Sequence, residues 1–113
     1  SYKPIQVTAD ILKENWLLKD YEEEFTVMRI IVKNNNTTIK IDLYDEYDQN
    51  TQITSMARTT GYTCTSGANL ILKNLFNQHG IFPPELIGKE QKCYEYIIKY
   101  LKERGINLKT NKS

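Results

Sequence analysis

The sequence holds little of what cofactor and metal sites are usually made from. With one histidine and two cysteines there is no paired Cys or His at metal-ligand spacing, and the five glycines form no G-x-G-x-x-G, P-loop or G-x-S-x-G. No familiar cofactor cradle is present, and the expected metal complement is none. Fifteen Lys and Arg against fourteen Asp and Glu leave a net charge of +1, without the concentrated basic field that phosphate backbones attract, which argues against nucleic acid. No apolar run approaches the roughly 20 residues needed to cross a bilayer. With no n-region or h-region of a secretory signal in front of them, Cys64 and Cys93 are expected to be reduced, half-buried thiols of a cytoplasmic protein.

Two further candidates fail on geometry. Cys64 and His79 would lie roughly 20 Å apart along a helix rising about 1.5 Å per residue, far beyond hydrogen-bond reach, so no nucleophile and base pair forms. The acidic group Asp42, Asp45, Glu46 and Asp48 lacks the glycine at the sixth position and the glutamate at the twelfth that a calcium loop needs, and reads as a solvated strand end.

What is present suits one soluble domain: 113 residues, 40% hydrophobic and 26% charged, are enough for one core and too few for two. "VTADILKENWLL" spaces Ile11, Leu12, Trp16 and Leu18 along one face of a helix, with Thr8 as a possible N-cap. "FTVMRIIVK", residues 25–33, has apolar side chains at both parities and reads as a strand buried on both faces. "NNN" at 34–36 is turn material, and Ile39, Ile41 and Leu43 then alternate with Lys40 and Asp42, so the two strands form an antiparallel hairpin.

From Ser55 the spacing turns helical, with Ala57, Gly61, Cys64, Ala68, Leu72 and Leu75 as the inward stripe and an end near Asn77 or Gly80. "GIFPPELIG" is a shaped connection with one turn begun by Pro84. "KEQKCYEYIIKYLKERG" is a second long helix facing Cys93, Ile97, Tyr100 and Leu101 inward, with Gly105 as its stop. "INLK" allows a last short strand. The expected fold is α+β: a small antiparallel or mixed sheet with helices packed mainly on one face, in a single domain over residues 1–113.

The entrance to the first long helix is the one crowded place. Thr54 or Ser55 suffices as a cap, yet Arg58 puts a cation at the positive end of the helix dipole, and Thr59, Thr60 and Gly61 are poor helix formers. In a packing explanation the stripe Ala57, Gly61, Cys64 and Ala68 lets another backbone approach closely. In a binding explanation free N–H groups, the hydroxyls of Thr59 and Thr60 and the fork of Arg58 form a receptor for an anion or carboxylate. Composition leaves both open.

"YDEYDQNTQITSMARTTGYTCTSGANLIL", "GIFPPELIG" and "YEYIIKYLKERGI" together resemble the C-terminal part of the saccharopine dehydrogenase-like family, including its lysine 6-dehydrogenase branch. "VMRIIVK" resembles the family's preceding strand, and "TSMARTTG" at 54–61 with "PPE" at 83–85 is the most specific pair. The resemblance implies an NAD(P)-dependent oxidoreductase acting on the C–N bond of an amino-acid substrate in lysine metabolism. Its Rossmann domain would hold the NAD or NADP, and this region would supply substrate contacts and a homodimer interface.

Nothing here is the Rossmann half, and Ser1 stands where a methionine would start a gene. The expectation is therefore a piece of a longer dehydrogenase, inactive alone; the alternative is a stand-alone, non-catalytic homodimerisation module. The motif positions Ser55, Met56, Arg58, Thr59, Thr60 and Gly61 are implied to lie near the cleft between the two domains. Ser55, Arg58, Thr59 and Thr60 are the substrate-binding candidates, with no catalytic residue assigned. If Arg58 faces the cleft, its guanidinium suits a carboxylate or a phosphate. If it turns to Asp45 or Asp48, it is a structural clamp.

Overall fold

A computed structural model describes residues 3–19 and 22–113. The elements run α1 (Pro4–Trp16), β1 (Phe25–Lys33), β2 (Thr38–Glu46), α2 (Ser55–Leu72), α3 (Pro84–Gly88), α4 (Gln91–Lys102) and β3 (Leu108–Lys112). The three strands form one antiparallel sheet in the order β1-β2-β3. The Asn34 side chain closes the hairpin by accepting from the N–H groups of Asn36 and Thr37.

Burial alternates along β2. Leu43 and Asp45 are buried while Tyr44 and Glu46 are exposed, which shows that the sheet is covered on one face. The register puts Met28 and Leu108 on that covered face beside Leu43. Leu43, Leu101 of α4 and Ile106 form the core, with Tyr62, Ile97 and Leu108 packed against them. The α+β arrangement read from the sequence is the one observed.

In α4, Cys93 and Leu101 are buried, and Gly105 ends the segment at φ 84° as a C′ glycine does. Cys93 donates to the carbonyl of Leu75, closing the far end of α2 against α4.

Three expectations are corrected. α1 starts at Pro4 rather than at a Thr8 cap: a proline is preorganised for the first helical turn, and the Thr8 hydroxyl instead donates back to the Pro4 carbonyl. α2 stops at Leu72, because Asn74 takes φ 54° and the Leu75 N–H returns to the Leu70 carbonyl. Its inward face carries Ser55, Ser66 and Leu70, whereas Ala57, Cys64, Ala68 and Leu72 are exposed and a Cβ at Gly61 would meet nothing within 4 Å. The phase shifts because buried serines carry no hydrophobic signal; Ser66 satisfies its hydroxyl on the carbonyl of Thr63.

β1 also departs from expectation. It is an edge strand whose residues are all exposed except Thr26, so its apolar side chains are uncovered on both faces. α1 buries none of its residues, including Ile11, Leu12 and Trp16. The radius of gyration, 18.1 Å, exceeds the roughly 13 Å of a compact chain of about 100 residues for these reasons.

Candidate functional site

The end of the hairpin, the entrance of α2 and the turn after α4 meet around Arg58. Asp45 reaches this point because it is the last residue of β2 on the helix-covered face. Asp48 begins a tight loop: its Oδ1 accepts from the N–H groups of Asn50 (2.9 Å) and Thr51 (3.3 Å), and its backbone bridges to Ile53. Those N–H groups, with a smaller contribution from Arg58, hold the Asp48 carboxyl below the usual carboxylate range.

Arg58 uses all but one of its N–H donors inside the domain. Nε and Nη2 donate to the two oxygens of Asp45 at 3.3 Å each, Nη1 donates to Asp48 Oδ2 at 2.8 Å, and Nη2 also donates to the carbonyl of Arg104 at 3.1 Å. The side chains of Arg58 and Asp45 are only 11% and 6% exposed. The unfavourable placement of a cation near the helix start is thus offset by two carboxylates. Gly105 suits the place beside them, since its φ of 84° favours glycine and a Cβ there would lie a tight 3.2 Å from Arg58 Nη2. An aromatic stack extends the joint: the guanidinium of Arg104 lies 3.3 Å from the ring centre of Tyr100 and 5.8 Å from that of Tyr62.

Two of the helix-start N–H groups are already taken. Met56 N–H donates to Glu24 Oε1 at 3.0 Å, and Ala57 N–H donates to the Thr54 hydroxyl at 3.2 Å. Ser55 is fully buried and donates to the Thr26 hydroxyl at 2.8 Å, and Thr59 donates to the Ser55 carbonyl at 2.8 Å. Among the described residues the Thr60 hydroxyl finds no partner, and its side chain is exposed. It borders a groove of about 560 Å³ between α2 and the sheet, lined without any charged side chain by Met28, Leu43, Thr59, Thr60, Cys64 and Ile106 among others.

The four sequence-derived candidates are therefore neighbours with different surroundings. Ser55 and Arg58 are held within the fold, Thr59 is half-buried, and Thr60 faces outward. Glu24, Thr26 and Arg104 belong to the same joint and carry no local signal, because each acts across 29 to 46 residues of sequence. No group of three or more His, Cys, Asp or Glu placed to hold a metal ion occurs among the described residues.

Residues 1–106 match the family described as the saccharopine dehydrogenase C-terminal domain. The chain belongs to that family. The whole Arg58 joint, from Glu24 to Gly105, lies inside the matched span of this saccharopine dehydrogenase C-terminal domain, and only β3 falls beyond it. No solved structure matches the chain. No helix among the described residues is long and apolar enough to cross a membrane.

Proposed function

We propose that this domain is the substrate-side part of a cytoplasmic NAD(P)-dependent oxidoreductase that acts on the C–N bond of an amino-acid substrate, works as a homodimer, and is inactive without the Rossmann domain of its parent chain. Membership of the saccharopine dehydrogenase C-terminal domain family supports the reaction class. The nicotinamide, bound elsewhere in the parent chain, would supply hydride exchange with the carbon bearing the amine.

The residues here do not fit the nucleotide itself. Where a pyrophosphate would sit on the start of α2, the Glu24 carboxylate already accepts from Met56, and two carboxylates surround Arg58. The cofactor is accordingly assigned to the Rossmann domain of the parent chain.

The observation that carries the substrate assignment is the outward Thr60 hydroxyl on an uncharged groove, set on a helix entrance that Arg58 locks in place. Thr60, with Thr59 beside it, orients the substrate by hydrogen bonding, while Ser55 and Arg58 fix where those hydroxyls stand. In the full-length enzyme Thr60→Val raises the KM for the amino-acid substrate and Thr60→Ser restores it, with the melting temperature unchanged. An unchanged KM in Thr60→Val overturns the assignment.

The exposed β1 edge favours one second reading, a non-catalytic homodimerisation module. The gene upstream of Ser1 separates the two. A strand followed by G-x-G-x-x-G supports the dehydrogenase; a start codon immediately before Tyr2 supports the module.

A further inference from the structure

β1 presents a bare backbone edge, and its sequence indicates what pairs with it. At the two ends of the hairpin, Tyr47 N–H donates to the Glu24 carbonyl and Asn34 N–H donates to the Thr37 carbonyl. Antiparallel pairing alternates, so Thr26, Met28, Ile30 and Val32 direct their backbone groups to β2. Phe25, Val27, Arg29, Ile31 and Lys33 direct theirs outward, where no described strand receives them.

Of the usual protections of an edge, β1 carries only two charged side chains, Arg29 and Lys33, and Arg29 is paired with Asp42. β1 is nine residues long and contains no proline, and its apolar side chains stand exposed on both faces: Val27 and Ile31 on the outer face, Met28, Ile30 and Val32 on the helix-bearing face. Apolar side chains on both faces are what strands inside covered sheets carry, and the free backbone edge is the part that pairing with another strand satisfies.

We propose that β1 pairs antiparallel with β1 of a second copy of this chain, about a two-fold axis at Arg29. This rests on the homodimer reading above and specifies its interface. The argument is self-complementarity. In this register Val27 meets Ile31 and Met28 meets Ile30, so apolar residues face apolar residues, and Phe25 meets Lys33 at the ends. Moving the axis by one residue, to Met28 or to Ile30, instead sets Arg29 against Val27 or Ile31.

The one like-charge encounter, Arg29 with Arg29, is neutralised within each copy. Arg29 donates to both oxygens of its own Asp42, at 2.6 and 3.2 Å, and this pairing holds the Asp42 carboxyl low. The axis also leaves the outward-directed backbone groups opposite one another, so each such pair exchanges two hydrogen bonds and the two sheets become one of six strands.

Light scattering on the full chain tests this, together with two variants. Val27→Pro removes an N–H that points away from β2 and so spares the hairpin; circular dichroism checks that its fold is kept, and the expected mass is that of a monomer. Arg29→Cys in a Cys64→Ser background is expected to form a disulfide-linked dimer on mild oxidation, because directly opposed Cα atoms in such a pair lie roughly 5.5 Å apart.

A dimer that Val27→Pro dissociates and Arg29→Cys captures supports the proposal. A wild-type monomer overturns it together with the homodimer reading. A dimer that Arg29→Cys fails to capture overturns the edge pairing alone, whether or not Val27→Pro folds.

Discussion

Arg58 and Asp45 meet through two parallel hydrogen bonds of 3.3 Å at the junction of α2 with β2, and both side chains are almost removed from solvent. A guanidinium in such a position is committed to the fold, since its removal strands a buried carboxylate. Arg58→Ala is expected to destabilise the domain by about 3–5 kcal/mol in urea denaturation. Arg58→Lys recovers little, because one ammonium cannot span Asp45, Asp48 and the Arg104 carbonyl together. A loss below about 1 kcal/mol, the range of surface pairs, would show that the joint contributes as an exposed ion pair does.

Gly105 is constrained twice, by its φ of 84° and by the guanidinium 3.2 Å from where a Cβ would stand. Gly105→Ala is expected to cost about 1–3 kcal/mol from the backbone alone, read as a lower urea midpoint at unchanged slope. Gly61→Ala, where a Cβ meets nothing and the residue is helical, is expected to stabilise by about 0.4–1 kcal/mol.

Acid weakens the domain through Asp48. Its folded carboxyl titrates below the ordinary value near 3.9, so the unfolded chain binds the proton more readily as pH falls. The stabilisation is present above the unfolded-state value and is lost as pH drops through the folded one. Urea midpoints measured from pH 6 downward are expected to fall, and Asp48→Asn to flatten that slope; an unchanged slope would refute the assignment.

The two thiols differ in access. Cys64 is exposed and Cys93 is 0% exposed, so a thiol reagent is expected to label Cys64 in the folded protein and Cys93 only after unfolding. Equal labelling rates in the native state would contradict the packing of α4 on α2. Both thiols were expected to be half-buried, and the structure separates them.

Much of the fold was legible because it follows period. Alternation at Ile39, Ile41 and Leu43 specified the hairpin, and Cys93, Ile97 and Leu101 specified the inner face of α4. The face of α2 was not legible, since Ser55 and Ser66 are buried through hydroxyl hydrogen bonds that leave no hydrophobic pattern. At the candidate site, Asp45 and Asp48 were visible as acids within reach of Arg58. The Arg104 carbonyl was invisible because any residue type supplies one. The exposed apolar residues of β1 were legible as apolar, but nothing local in the sequence states which surface covers them.

Asp48 divides its carboxylate between the loop that follows it and the arginine that holds α2. The turn and the helix docking therefore share one atom group, and neither opens at constant energy for the other. Residues 48–53 hold α2 in two ways at once, by running directly into its start at Ser55 and by fixing the carboxylate that Arg58 grips, so this turn is part of the foundation of the groove wall.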